Sequence, residues 1–184
     1  MNLKIKLLID KMNSVIRLPR DFYTRDVLEV APELPGKNMV IRLQEGSLGR
    51  FRVTEVEAYR GFEDRACHAF KGRTARTEVM FHEGGRLYIY LIYGMYWMLN
   101  IVTGEKNNPQ AVLIRGVEDY PGPGRLTKSL GIDKSFYGED LVFSERIWIE
   151  DPGLVYSVKS GQRIGIEYAG EYWKTRPWRY FLSS

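Results

Sequence analysis

In the stretch "RVTEVEAYRG" (residues 52–61), Glu55, Glu57 and Tyr59 recur at every second position. In an extended strand, residues spaced this way share one face. A carboxylate beside an aromatic pocket suits general-base work. The plain alternative is a solvated strand face, the usual place of charged side chains. His68 is one of only two histidines, the other being His82. A lone histidine is more often structural than catalytic. No His/Cys/Asp/Glu cluster has metal-ligand spacing, and there is no phosphate loop or dinucleotide fingerprint. Neither a metal nor a cofactor is expected.

A second concentration of chemistry is "GRLYIYLIYGMYWMLNIV" (residues 85–102), with four tyrosines and a tryptophan. Two apolar runs flank Tyr93, Gly94 and Met95, and Gly94 permits a tight turn. Register decides what the rings do, because a one-residue slip exchanges the faces. A two-residue loop puts Tyr90 and Asn100 on opposite faces. A three-residue loop over 93–95 pairs Ile92 with Tyr96, Tyr90 with Met98, and Tyr88 with Asn100. It also sorts the residues better: Leu87, Ile89, Leu91, Trp97, Leu99 and Ile101 form a core face. Tyr88, Tyr90, Ile92, Tyr96, Met98 and Asn100 form an amphipathic one. Such loops usually want glycine at the third position, and here it is at the second. Either way Tyr93 stands at the tip, free to contact a partner or to fold back on its own hairpin.

"PGPGRLTK" (residues 121–128) is a glycine-rich turn entering a helix, a geometry that can present N–H groups to phosphate. Arg125 and Lys128 add charge; a plain helix start is the alternative. The net charge of +4 favours anionic partners.

The elements that must position these residues are legible in outline. The 184 residues suit one domain with a core of its own, and a single cysteine, Cys67, excludes an internal disulfide framework. No run is long enough to span a bilayer, and the N-terminal segment lacks the features of a signal peptide. A protein inside the cell and not in a membrane is expected. Residues 1–16 read as an arm and 17–184 as the domain. Helical spacing at Val27, Leu28 and Val30 predicts a helix, capped by Asp21 or Thr24 and ended or kinked at Pro32. "NMVIRLQ", "GRFRVTEVEAY" and "QAVLIRGVE" read as strands, and Gly131 can cap the helix after "PGPG". No strand–helix alternation suggests a doubly wound sheet.

Taken together, "VEAYRGFEDRACHAFKGRTART", "VMF", "LYIYLIYGMYWMLN", "AVLIRGVE", "GPGRLTKSLGIDKSF" and "RIGIEYAGEYW" resemble the alkyladenine (3-methyladenine) DNA glycosylase family. The segments occur in the family's order over roughly residues 17–183, with a histidine nine residues after Tyr59. Two departures are visible: Pro32 and Pro35 stand where the family usually continues a helix, and the first 16 residues look extraneous. The expected fold is α+β: a single domain with a curved, mostly antiparallel, open-barrel-like sheet, short flanking helices and a protruding hairpin.

The resemblance implies a monomeric enzyme that acts on double-stranded DNA containing damaged purines, flips the alkylated base out and hydrolyses its N-glycosidic bond. Glu57 matches the general base. Tyr59, His68 and Tyr90 match residues enclosing the flipped base, and Asn100 the pocket floor that disfavours guanine. Tyr93 matches the residue that enters the minor groove. Arg115 resembles a backbone or pocket-rim contact, and Met80, Gly124, Arg125, Ile164 and Gly165 match further DNA contacts. Arg73, Arg76, Arg125 and Lys128 are candidates for phosphate contacts. No lysine is implicated as a Schiff-base nucleophile, so an intact abasic site is the expected product. A non-catalytic nucleic-acid-binding module is the competing reading.

Overall fold

The computed structural model describes residues 16–183. The arm expected over residues 1–16 lies, except for Ile16, outside them. Ten strands form one sheet: β1 (Ile16–Arg17), β2 (Asn38–Arg42), β3 (Leu48–Tyr59), β4 (Leu87–Ile92), β5 (Tyr96–Thr103), β6 (Gln110–Val117), β7 (Tyr120–Pro121), β8 (Ile147–Asp151), β9 (Val158–Gly161) and β10 (Arg179–Leu182). The order along the main path is β1-β8-β2-β3-β6-β5-β4, with β10 and β9 branching from β3 and β7 from β6. Every pairing is antiparallel. The path does not close, so the sheet is open and the α+β expectation holds.

β3 does most to shape the molecule. Its first half pairs with β2 through Leu48–Arg52, and its second half pairs with β10 through Glu55–Glu57. Between them, register shifts around Glu55 interrupt the ladder to β6. Such bulges bend a strand and increase its twist. The bend therefore falls just before Glu57.

Four short helices flank the sheet: α1 (Arg20–Tyr23), α2 (Val27–Glu33), α3 (Pro123–Ser129) and α4 (Glu171–Lys174). The single helix expected from a cap at Asp21 or Thr24 to an end or kink at Pro32 is thus two. The cap of α2 is neither Asp21 nor Thr24 but Asp26, whose carboxylate accepts from the Leu28 N–H at 2.9 Å. Pro32 lies inside α2, which ends one residue later with a tightened turn, Leu34 N–H to Ala31 O. That is the expected effect of a residue with no N–H to donate. Gly131, at φ +65°, follows α3 as anticipated.

One face of the sheet carries the main core. Val56 and Ala58, Val112 and Ile114, Leu99 and Ile101, and Leu87 and Ile89 project from four neighbouring strands into one cluster. Val27, Val30 and Ala31 of α2 and Leu126 of α3 close over it. The opposite face meets a second cluster built on two 3-10 turns, His68–Lys71 and Glu78–Phe81.

The hairpin of β4 and β5 follows the three-residue register: Tyr88 pairs with Asn100, Tyr90 with Met98, and Ile92 with Tyr96. β6 supports β5 only from Asn100 onward, so the outer half of the hairpin overhangs the sheet. α3 braces that overhang. The Thr127 hydroxyl donates to the Trp97 carbonyl at 2.9 Å, and Gly124 lies where a Cβ would be 2.7 Å from the Tyr96 ring. The assignment of Leu91 to the core needs correction. It is 40% exposed because the core ends at Ile89 and Leu99, below the overhang.

Candidate active site

The alternation that aims Val56 and Ala58 into the core aims Glu55, Glu57 and Tyr59 the other way. Register then aligns four strands. Tyr88 pairs with Asn100, Asn100 with Leu113, and Leu113 with Glu57, making one transverse row from β4 to β3. The sequence parity of each strand and the register between strands thus bring Tyr88, Tyr90, Asn100, Glu57 and Tyr59 to one face.

Glu57 is 0% exposed, so the solvated-strand alternative fails for it. Its Oε1 accepts the Ile164 backbone N–H at 2.7 Å, and its Oε2 accepts the Tyr59 hydroxyl at 2.8 Å. The Arg115 guanidinium lies 3.4 Å from Oε1. Burial pushes the Glu57 carboxyl above its usual range, opposed by Arg115 and by the Ile164 and Tyr59 hydrogen bonds. Arg115 also donates to Glu55 at 3.0 Å, and Glu55 accepts from Arg179 at 3.1 Å. Arg115 is therefore held at the two carboxylates.

Around the carboxylate stands an aromatic wall. The His68 ring meets the Tyr90 ring edge-on with centroids 4.6 Å apart, and its Nδ1 lies 2.8 Å from the Tyr88 hydroxyl. Burial, aided by Arg76 and Lys71, lowers the His68 pKa to about 4, so the ring is neutral at physiological pH. Burial raises the pKa of Tyr59, Tyr88 and Tyr90 alike, keeping all three phenols protonated. Asn100 is buried and donates its Nδ2 to the carbonyls of Tyr88 and Met98 at 3.1 and 3.3 Å. The amide is thereby fixed in orientation. This face thus offers a buried carboxylate, neutral electron-rich rings and one rigid amide.

The remaining predicted residues divide. Tyr93 stands at the hairpin tip, 83% exposed, with φ +51° followed by Gly94 at +70°. Met95 N–H donates to Ile92 O at 3.2 Å, as a turn with two left-handed central residues requires. Met80 is 1% exposed, its side chain inside the second cluster. Gly124 packs on Tyr96, while Arg125 and Lys128 project from α3. Because α3 is two turns long, its dipole adds little; the anionic attraction there comes from the two side chains. Arg76 lies over the Tyr90 ring at 5.1 Å, whereas Arg73 is engaged by Glu78 and Asn107. Gly165 is exposed at φ +76° beside Ile164, which is half-exposed.

Sequence reasoning missed Tyr88, Tyr168 and the Arg163–Asp64 pair. Tyr88 had a usable signal, since the register already set it opposite Asn100. Tyr168 donates to the Ala66 carbonyl at 3.1 Å, close enough to Glu57 that the carboxylate helps raise its pKa. Arg163 and Asp64, 99 residues apart, carry no local pattern. Among the described residues, no group of three or more metal-ligating side chains exists and no helix is long and apolar enough to cross a membrane.

The methylpurine-DNA glycosylase family model matches residues 21–184. The chain is 42% identical to a protein of Methanocella arvoryzae, covering 89% of this chain and 91% of that one. It is 41% identical to one of Desulfitobacterium hafniense, covering 90% and 95%, and 41% identical to one of Rickettsia rickettsii, covering 94% and 93%. All three are provisionally named 3-methyladenine DNA glycosylase. The chain belongs to the methylpurine-DNA glycosylase family, and by that membership is a DNA glycosylase.

Proposed function

We propose that the protein removes alkylated purines of the 3-methyladenine and 7-methylguanine type from duplex DNA, with Glu57 activating the attacking water. The observation that carries this reading is the fully buried Glu57 carboxylate beside Tyr59 and the Tyr90–His68 pair. A protein that only binds nucleic acid has no use for a buried carboxylate where a base would stack.

The glycosidic bond is inaccessible in a stacked duplex, so the nucleotide must be extruded, at a cost of roughly a few kcal/mol. Tyr93 enters the minor groove and fills the vacated stack. The flipped base lies against Tyr59 and Tyr90. An N3- or N7-alkylated purine is cationic, and a desolvated cation–π contact stabilises it by about 2 kcal/mol. Neutral His68 adds no repulsion. The fixed Asn100 amide crowds the 2-amino group of guanine, a penalty 7-methylguanine shares but offsets by its positive charge, which strengthens ring contact and weakens the glycosidic bond. As the bond to the charged base lengthens, the sugar gains oxocarbenium character. Glu57 orients water and takes its proton, a contribution of about 10²–10⁴-fold. The products are free base and an intact abasic site. Hypoxanthine and ethenoadenine, being neutral, need protonation first and react more slowly. Arg76, Arg125 and Lys128 bind phosphates, each steepening the salt dependence by about 0.9 in log–log slope. The protein acts as a monomer on DNA inside the cell.

The test is incubation with duplexes each carrying one defined lesion, with chromatography of the released base. Release of 7-methylguanine by the native protein and none by Glu57→Gln, which still binds the lesion duplex, is the expected result. Unchanged release by Glu57→Gln removes the carboxylate from the mechanism. Borohydride trapping of a protein–DNA adduct would replace the water mechanism with an amine one.

A further inference from the structure

Arg163 follows β9, and its side chain is completely buried. It forms a two-pronged pair with Asp64, donates to the Ala58 carbonyl at 2.9 Å and reaches the Trp173 carbonyl at 3.3 Å. Its guanidinium lies between the Tyr59 and Trp178 rings, 4.9 and 5.0 Å from their centroids. Asp64 in turn accepts the N–H groups of Arg60 and Ala66, on the loop that leads to His68. The residue after Arg163 is Ile164, whose N–H binds Glu57. Buried ion pairs rarely add net stability. This one even leaves the buried Arg163 Nε without a partner among the described residues. What it does provide is geometry. The Ala58 carbonyl sits between Glu57 and Tyr59 in β3, so one guanidinium fixes the strand, the ring and the neighbouring N–H together.

We propose that the Arg163–Asp64 pair is the positioning element of the excision site, holding the Ile164 N–H on Glu57 and the Tyr59 ring against the base. The proposal rests on Glu57 acting as the base. Without the pair, Glu57 loses an aligned N–H and a nearby positive charge, and both losses favour the protonated carboxyl. The other charged and titratable groups facing Glu57 are Arg115, Tyr59, Tyr90 and Tyr168, with Glu55 and Arg179 joined to it through Arg115. All are untouched by the substitutions below.

The experiment measures single-turnover release of 7-methylguanine against pH. Its charge is fixed by alkylation, so the acid limb reports the enzyme. Three proteins are compared with native: Asp64→Asn combined with Arg163→Met, Arg163→Lys, and Glu57→Gln. The double variant removes both charges while Asn keeps an acceptor for the loop. Arg163→Lys keeps the charge but not the planar fork, and serves if the double variant does not fold. The expected result for the double variant is an acid limb moved up by roughly one pH unit or more, and a plateau rate lower by about 10- to 100-fold. Arg163→Lys shifts in the same direction by less. A folded variant that binds lesion duplex with native profile and rate overturns the proposal while leaving an inactive Glu57→Gln, and the excision reading, intact. If Glu57→Gln itself releases base normally, both fall.

Discussion

Val56 and Glu57 are neighbours in β3, and both are 0% exposed. One joins the aliphatic cluster under α2 and α3; the other faces Tyr59, Arg115 and the Ile164 N–H. The same contrast runs across the sheet: Ile114 against Arg115, Leu99 against Asn100, Ile89 against Tyr90. Burial is similar on the two faces, but its cost is not. On the aliphatic face the buried hydrocarbon side chains gain by leaving water. On the other, a carboxylate is buried and its pKa rises, which marks its charged form as worse off inside than in water. The first face holds the sheet together. The second spends part of that stability on a basic group beside a π surface, the kind of local inconsistency expected where chemistry is done.

The contrast predicts opposite outcomes for neighbouring strands. Glu57→Gln is close to isosteric and should lower base release by about 10²–10⁴-fold. Since the group's folded pKa is raised, its ionised form at pH 7 opposes folding, and the neutral amide should leave thermal stability unchanged or higher. A large drop in melting temperature would mean that Glu57 is structural. Ile114→Ala, on the aliphatic face, should cost about 2–5 kcal/mol in denaturant unfolding. Measured on folded protein at low temperature, its base release should stay near native. If it instead loses activity with little loss of stability, the division between faces is wrong.

A smaller effect sharpens the same division through pH. His68 belongs to the aromatic face, and its folded pKa is lowered to about 4 from 6.5. The unfolded chain therefore binds the proton more readily. The stability from neutral His68 is complete above about pH 6.5 and is lost as pH falls toward 4, on the order of 3 kcal/mol at the acid end. Denaturant midpoints between pH 7 and 4 should fall, and His68→Gln should flatten that slope. An unchanged slope would place the ring in a wetter setting than its contact with Tyr90 implies.

How much of this was legible depends on range. Two-residue periodicity is local, so it put Glu57 with Tyr59 and, through loop length, Tyr90 with Asn100 on the observed sides. It gives side but not extent. Leu91 has the parity of Ile89, yet it projects past the last supporting strand. Met80 was drawn from resemblance alone, and the 3-10 turn at Glu78–Phe81 rolls Val79, Met80 and Phe81 inward together. Only Asp21 and Thr24 were candidates for the cap that Asp26 makes, because the break between α1 and α2 leaves no strong sequence signal. The Arg163–Asp64 pair joins distant segments by chemistry without period, and no reading of spacing reaches it.

The smallest effect isolates Tyr93, which stands at the hairpin tip beyond both faces. Tyr93 is held at φ +51° by the turn, a conformation that costs a bulky residue about 1–3 kcal/mol, and the exposed ring recovers little of it by packing. Glycine adopts that backbone without strain but loses more freedom on folding, so the two terms partly cancel. Tyr93→Gly should therefore stabilise the protein by less than about 1 kcal/mol, read as a small rise in melting temperature. Release of 7-methylguanine from duplex should fall, because nothing fills the vacated stack. Release from single-stranded substrate, which needs no extrusion, should be nearly unchanged. That split between substrates separates a wedge from a folding element. A tyrosine packed on its own hairpin would lose stability on substitution and affect both substrates equally.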